Sequence, residues 1–209
     1  MRKLNKKNGN TEVCPFLYME DIKNMMDYFQ SKEMWHSYLA FNFGLLLGIR
    51  ADDILSLKWS DFFFADGRMV DEININEQKT GKETHLHMCG ACKNALQLYI
   101  INTGICPMEH FNEFVLPTKQ KVELLRNKEK YSAEEYKKLM WNAIQSQSAE
   151  LRKQFKIAVD VCDIQYHVNM HSLRKSFLLW SDIMHPYDVT TIDKLQGVFT
   201  HSDKNTIFN

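Results

Sequence analysis

The chain has 209 residues, of which 44% are hydrophobic and 12% aromatic, with only 8 glycines and 4 prolines. This composition excludes a fibrous or disordered protein and provides enough large side chains for a substantial core. Its 26 basic and 26 acidic side chains balance to a formal net charge of zero, so any site for a polyanion must be local.

Polar and charged residues fill positions 1–12, which predicts a linker or frayed terminus ahead of a domain over 13–209. The longest apolar run, 41–49, is shorter than the roughly 20 residues that span a bilayer. No apolar segment follows the basic N-terminus, so no secretory signal is predicted. The five cysteines are an odd number and favour reduced thiols. We therefore expect a cytoplasmic protein with no membrane partner, bacterial by default.

The first half of the chain is predicted to contain three helices followed by a sheet. Apolar spacing places the helices at 20–30, 34–47 and 51–59. Gly48 is expected to end the second helix, because glycine is favoured just after a helix C-terminus. Alternating apolar residues and two turn sequences then predict strands of a small antiparallel sheet within 62–88.

The second half is predicted to be mainly helical. Helices are expected at 91–102, 148–160, 171–184 and 191–199, with a short apolar connection at 113–117. The charge-dense segment 119–138 predicts a long, solvated helical excursion. The predicted fold class is mainly α with a small antiparallel β-sheet, an α+β domain.

Three separated segments place a polar side chain where the core periodicity does not require one. Arg50 lies between an apolar helix and the start of the next helix, where a guanidinium beside free N–H groups can bind two phosphate oxygens. His171 and Arg174 are three residues apart and share a helix face, which their apolar neighbours indicate to be a partly buried polar seam. His201 follows another apolar helix.

Several of these side chains also have a purely structural interpretation. Arg50 could form a capping ion pair with Asp52 or Asp53, although exposed ion pairs are weak. At the predicted turn 79–82, Lys79 or Lys82 could reach a substrate, but lysines in a turn are most often plain surface residues. The pattern as a whole favours a site.

A separate pattern at 85–92 has the residue types of a zinc site. On a strand, His85, His87 and Cys89 would share one face, and Cys92 follows at a spacing that zinc sites favour. The apolar residues between them form an ordinary buried face, and a turn at 89–90 would disrupt the row. We therefore expect no metal site and keep a zinc-stabilised helical domain as the less favoured alternative.

Four segments, taken in chain order, resemble the catalytic-domain boxes of the tyrosine recombinases, the phage integrase family. GIRADDILSLKW resembles the first arginine box, KTGK the lysine hairpin, HSLRKSF the H-x-x-R box, and LQGVFTHSD the segment of the second histidine. The resemblance runs from about Phe16 to the last residue and covers only the catalytic domain. We therefore expect that domain's fold, without the family's N-terminal DNA-clamping domain.

The resemblance implies site-specific recombination of double-stranded DNA, for integration or excision of a mobile element. A tyrosine would attack the scissile phosphate without a metal or other cofactor and leave a 3′-phosphotyrosine link and a free 5′-hydroxyl. By the resemblance, Arg50 and Arg174 would hold the non-bridging oxygens and His201 would hydrogen-bond the phosphate. Asp53 would support the residues of the first arginine box and would not bind the phosphate itself.

The resemblance also implies two residues for proton transfer. Lys79 matches the hairpin lysine that would protonate the leaving 5′-oxygen, and its choice over Lys82 rests on the family alone. His171 would assist proton transfer from the nucleophile.

Two features depart from the family pattern. The nucleophilic tyrosine stands about nine residues beyond the second histidine, here position 210, one past Asn209, and Tyr187 lies on the wrong side of His201. Thr200 stands where the family usually has glycine. We expect this chain to be a monomer that binds DNA weakly and cleaves nothing, while the full-length protein would form a tetramer on DNA. The alternative function is a catalytically inactive DNA-binding relative with a regulatory role.

Overall fold

The computed structural model describes residues 13–78 and 81–184. Over these ranges the chain is mostly helical and contains one two-stranded antiparallel sheet, which confirms the predicted fold class. The elements, in chain order, are α1 (Met19–Ser31), α2 (Trp35–Leu47), α3 (Ala51–Ser56), β1 (Glu72–Asn76), β2 (Glu83–His87), α4 (Gly90–Thr103), α5 (Lys119–Arg126), α6 (Ala133–Val161) and α7 (Met170–Met184). None of the helices within these ranges is long and apolar enough to cross a bilayer.

Helix α2 is the centre of the core. It packs against α1, α3, α4, α6 and α7, and most of its residues are buried on every side, as its almost wholly apolar sequence predicts. Buried phenylalanines such as Phe41 and Phe43 each stabilise the fold by roughly 1.5–3 kcal/mol. The helix ends where predicted, because Gly48 adopts the left-handed conformation with φ of 64°.

Strands β1 and β2 form a hairpin whose register pairs Glu72 with His87 and Asn76 with Glu83. Both strands alternate between exposed and buried residues, so that Ile73 and Ile75 face the core. The hairpin continues past the last paired residues of the ladder, since the Glu77 N–H donates to the Lys82 carbonyl at 2.9 Å.

The helix predicted at 51–59 ends earlier, at Ser56. Leu57 is extended, and its carbonyl accepts a hydrogen bond from the Val115 N–H at 3.0 Å, while Lys58 bridges to Phe114. Pairing with a distant segment therefore replaces the last helical turn. The predicted sheet region also begins later than position 62, because a 3-10 turn over Trp59–Asp61 leads into residues 62–64 and an isolated bridge between Phe63 and Met69 stands in place of a strand.

The prediction of one solvated excursion over 119–138 is wrong. The segment comprises α5, a 3-10 turn at Lys128–Lys130 and the first turns of α6, and Lys121 within it is fully buried. Ser132 and Glu135 form a capping box that starts α6, and the helix predicted at 148–160 is the second half of this 29-residue helix. The helix predicted at 191–199 lies outside the described residues.

Candidate active site

Arg50 lies at the junction that the sequence predicts, between the end of α2 and the start of α3. Its backbone is extended, with φ of −73° and ψ of 153°, and its carbonyl accepts the first hydrogen bond of α3 from Ile54 at 3.0 Å. Gly48 ends α2 two residues before Arg50, so the Arg50 side chain projects from a short connection between two helices that pack against each other.

Arg174 reaches the same junction from α7. Gly44 in α2 and Gly48 just after it let α7 approach closely, because a Cβ at Gly44 would lie 2.6 Å from Leu173 and one at Gly48 would lie 2.4 Å from Phe177. Arg174 is only 2% exposed, and its Nη1 donates to the Gly48 carbonyl at 3.0 Å. Gly48 therefore ends α2, leaves room for α7 to pack closely, and accepts a hydrogen bond from Arg174.

The carboxylate of Glu77 lies between the two guanidinium groups. Its Oε2 is 2.8 Å from Nη1 of Arg50, and its Oε1 is 4.0 Å from Nη1 of Arg174. Glu77 is 2% exposed, whereas the Arg50 side chain retains 21% exposure. Two arginines that are far apart in the sequence therefore converge on one small region, partly open to solvent on the Arg50 side.

Asp53 is buried close enough to the two arginines to interact electrostatically with both. Its Oδ1 accepts a hydrogen bond from the Gln78 N–H at 2.8 Å, while its buried Oδ2 has no hydrogen-bond partner among the described residues. Burial is the main cause that raises the pKa of this carboxyl above its ordinary value, and the charges of Arg50 and Arg174 oppose that shift. The hydrogen bond from Gln78 to Asp53 links the β-hairpin to α3.

The structural alternative for Arg50, a capping pair with Asp52 or Asp53, is replaced by the ion pair with Glu77. Asp52 instead accepts a hydrogen bond from the side-chain amide of Gln145 at 3.0 Å. The guanidinium is therefore oriented toward the hairpin and the second arginine.

The remaining predicted residues differ in their surroundings. His171 lies in the first turn of α7 and is exposed, with its backbone N–H donating to Asn169 Oδ1 at 2.7 Å, so it is not part of a buried seam with Arg174. Lys82 is exposed on the hairpin. Lys79 and His201 lie outside the described residues, as do Tyr187 and Thr200. The structure thus brings together Arg50, Arg174 and Asp53 among the predicted residues.

Sequence reasoning missed Glu77, although a signal was present. Ile73 and Ile75 point inward from β1, and the period of two places Glu77 on the same face. A carboxylate at an inward position needs cationic or hydrogen-bonding partners, and an arginine box elsewhere in the chain supplies them. Continuing the strand alternation by one more pair would have identified this residue.

The histidines and cysteines of the alternative zinc pattern are arranged differently from a metal site. His85 and His87 are exposed, and Nδ1 of His85 lies 2.5 Å from the side-chain oxygen of Asn74. Cys89 and Cys92 are 3.3 Å apart, and burial raises the pKa of the Cys92 thiol. Within 13–78 and 81–184, no three His, Cys, Asp or Glu side chains are grouped closely enough to hold a metal ion.

The chemistry that this arrangement supports is the binding of an oxyanion. Guanidinium groups present planar, fixed N–H donors that match carboxylate and phosphate oxygens, and burial strengthens their electrostatic effect. The carboxylate of Glu77 is an example of an oxyanion at this position, because one of its oxygens lies near Arg50 and the other lies near Arg174.

Solved structures share this fold. XerA recombinase matches with a TM-score of 0.61 at 16% identity, covering 93% of this chain and 60% of that one. A lambda integrase dimer bound to a COC′ core site matches with a TM-score of 0.60 at 14% identity, covering 98% of this chain and 50% of that one. The chain thus spans about half to three-fifths of the length of these proteins.

A shorter structure, the lambda integrase catalytic core, gives a TM-score of 0.52 at 15% identity, covering 88% of this chain and 90% of that one. The comparison with curated proteins returned no match. The model of the phage integrase family matches residues 15–209, which is nearly the whole chain. The chain therefore belongs to the phage integrase family.

Proposed function

We propose that residues 13–209 form the catalytic domain of a tyrosine site-specific recombinase, with 1–12 as a linker. The substrate is double-stranded DNA, which is broken and rejoined during integration or excision of a mobile element. Family membership supports this function, as do fold relatives that include a lambda integrase tetramer bound to a Holliday junction. The observation that carries the proposal is the convergence of Arg50 and Arg174 on one carboxylate.

The proposed role of the two arginines is to hold the non-bridging oxygens of the scissile phosphate. Both guanidinium groups are fixed before substrate arrives, Arg174 by the Gly48 carbonyl and Arg50 by Glu77. A donor that is held by the backbone, as Arg174 is, stabilises the charge that shifts onto these oxygens in the transition state with little reorganisation. No cofactor is assigned to this reaction.

Proton transfer is assigned to residues around this pair. Lys79 would protonate the leaving 5′-oxygen, and His171 would assist removal of the proton from the nucleophile. The exposure of His171 suits a group that meets its substrate only when DNA is bound. His201 would hydrogen-bond the phosphate. Asp53 would hold the β-hairpin close to Arg50 through its hydrogen bond with Gln78.

The nucleophile is assigned by the resemblance to a tyrosine at position 210. We propose that the recombinase assembles as a tetramer on DNA. We also place the protein in the bacterial cytoplasm, since its odd number of cysteines, five, favours reduced thiols.

The test is covalent capture of DNA. A chain extended to carry tyrosine at position 210 is incubated with a pool of labelled duplexes, and covalent protein–DNA links are measured on a denaturing gel. We expect such links, and we expect Arg174→Ala and Arg174→Lys to reduce their rate by on the order of 10²–10³. Lysine should not rescue the rate, since it lacks the planar fork.

Two controls accompany this assay. The 209-residue chain serves as the control without the nucleophile, and Arg68→Ala removes an exposed arginine that pairs with Asp66 in a surface turn. Melting temperatures of all variants establish that each is folded. Covalent capture that persists at full rate in Arg174→Ala would contradict the proposal.

A further inference from the structure

The carboxylate of Glu77 has the arrangement that the proposed function assigns to a phosphate group. One oxygen lies 2.8 Å from Arg50, and the other lies 4.0 Å from Arg174. A phosphate bridging the same two guanidinium groups would also direct one oxygen to each. Two anions of like charge cannot occupy this position together without strong repulsion.

The backbone fixes Glu77 in this position. Its N–H donates to the Lys82 carbonyl at 2.9 Å, and its carbonyl accepts a hydrogen bond from the Gly81 N–H at 2.8 Å. The next residue, Gln78, is bound through its N–H to Asp53. The first two bonds hold the backbone of Glu77 within the hairpin, and the third ties the neighbouring residue to α3, so a shift of the Glu77 side chain disturbs fewer bonds than a shift of its backbone.

The buried charges at the site give Glu77 a second role. Arg174 is almost fully buried and Arg50 largely so, and two neighbouring cations in a poorly solvated region are costly without a counter-charge. Glu77, itself 2% exposed, supplies such a charge in contact with Arg50, and the carboxyl of Asp53 also interacts electrostatically with both arginines. The ion pair with Arg50 also selects one orientation of its guanidinium group.

We propose that Glu77 is a positioning residue that holds the two arginines as their internal counter-ion, so that a phosphate group binds in competition with its carboxylate. This inference rests on the proposed function, because it concerns how the same pair of arginines accepts phosphate. Glu77 acts through the arginines and touches no reacting atom. It would oppose non-productive binding of free phosphate and of phosphates that do not also meet the other groups of the site.

The test compares phosphate binding by the 209-residue chain and by the variant Glu77→Gln. Glutamine keeps the shape and can still accept a hydrogen bond from Arg50, but it removes the charge. Inorganic phosphate is titrated at low salt, and the Nε–Hε signals of Arg50 and Arg174 are followed by nuclear magnetic resonance. We expect Glu77→Gln to bind phosphate at least about fivefold more tightly than the parent chain.

The matched control is Glu72→Gln. Glu72 is the first residue of β1, the strand that ends just before Glu77, and it is exposed, so this variant changes the net charge equally without altering the contacts of the arginines. An affinity in Glu77→Gln no higher than in Glu72→Gln would overturn the inference, because a merely structural Glu77 would not set phosphate affinity.

A second measurement needs no variant that might fail to fold. In the parent chain, the side-chain carboxyl carbon signal of Glu77 should move with the same phosphate dependence as the two arginine signals. A Glu77 signal that stays constant while the arginine signals saturate would overturn the inference but leave the proposed phosphate site standing. Arginine signals that do not respond to phosphate in any variant would instead contradict the proposed function itself.

Discussion

Four charged side chains are buried among the described residues, and three of them, Asp53, Glu77 and Arg174, lie at the candidate site. The fourth, Lys121, lies apart from it. Its Nζ donates to the Leu55 carbonyl of α3 at 2.8 Å and lies 4.5 Å from the ring centre of Phe114. One carbonyl and one aromatic face compensate only part of the desolvation of an ammonium group. Burial accordingly lowers the pKa of Lys121 to about 7.

This lowered pKa predicts a pH dependence of stability. The folded chain releases the Lys121 proton near pH 7, while the unfolded chain keeps it up to the ordinary value of 10.5, so the unfolded state binds more protons between these values. The free energy of unfolding should therefore rise with pH over this window, by a few kcal/mol at most, and be insensitive to Lys121 below it. Urea denaturation at several pH values measures the dependence.

The comparison that isolates this effect is Lys121→Met against Lys119→Met. Lys119 is exposed on the same helix, so its variant should keep the parent chain's pH slope. Lys121→Met should lose the part of the slope that lies between about pH 7 and 10. Equal slopes in the parent chain and in Lys121→Met would show that Lys121 is not the group responsible.

At the scale of elements, the contact of α2 with α7 decides where the second arginine lies. Gly44 and Gly48 face Leu173 and Phe177, which are one helical turn apart and flank Arg174 in the sequence. The sequence indicated Gly48 only as the end of a helix. Its second role is to leave room for the ring of Phe177. This role depends on α7, which lies far along the chain, so no residue near Gly48 indicates it.

Gly48→Ala should therefore destabilise the chain for two reasons. A left-handed φ of 64° costs an alanine about 1–2 kcal/mol, and the added Cβ would lie 2.4 Å from Phe177, adding roughly 1–3 kcal/mol. Gly104→Ala is the control, since Gly104 has nearly the same φ, 66°, but nothing within 4 Å of an added Cβ. Thermal and urea denaturation should show a clearly larger loss for Gly48→Ala; equal losses would rule out the packing contribution.

Elements with a strong local pattern could be predicted from the sequence, and elements set by distant contacts could not. Apolar spacing located α1, α2, α4 and α7 to within one or two residues. The early end of α3 escaped prediction because residues around Phe114 pair with the chain just after it. The charge-dense segment was misread because Lys121 sits in the core, where lysine is rare.

At the scale of the whole molecule, the candidate site is assembled from three parts of the chain: the α2–α3 junction, the end of the hairpin and α7. Residue patterns indicated Arg50 and Arg174 separately, and the family resemblance implied that they share one phosphate. Glu77 was not predicted, since its importance depends on two arginines that meet it only in the folded chain. Folding brings these residues into contact, whereas the sequence shows each of them separately.

The central claim is that Arg50 and Arg174 act together on one phosphate group, and a double-mutant cycle tests it most directly. The affinity of the 209-residue chain for a labelled DNA duplex is measured over a range of salt for the parent, Arg50→Ala, Arg174→Ala and the double variant, with melting temperatures establishing that each is folded. We expect each single variant to lose about tenfold in affinity and about one unit of salt slope, with the double variant losing clearly less than the product of the two. Strictly multiplicative losses, or single losses no larger than that of Arg68→Ala, would contradict the account.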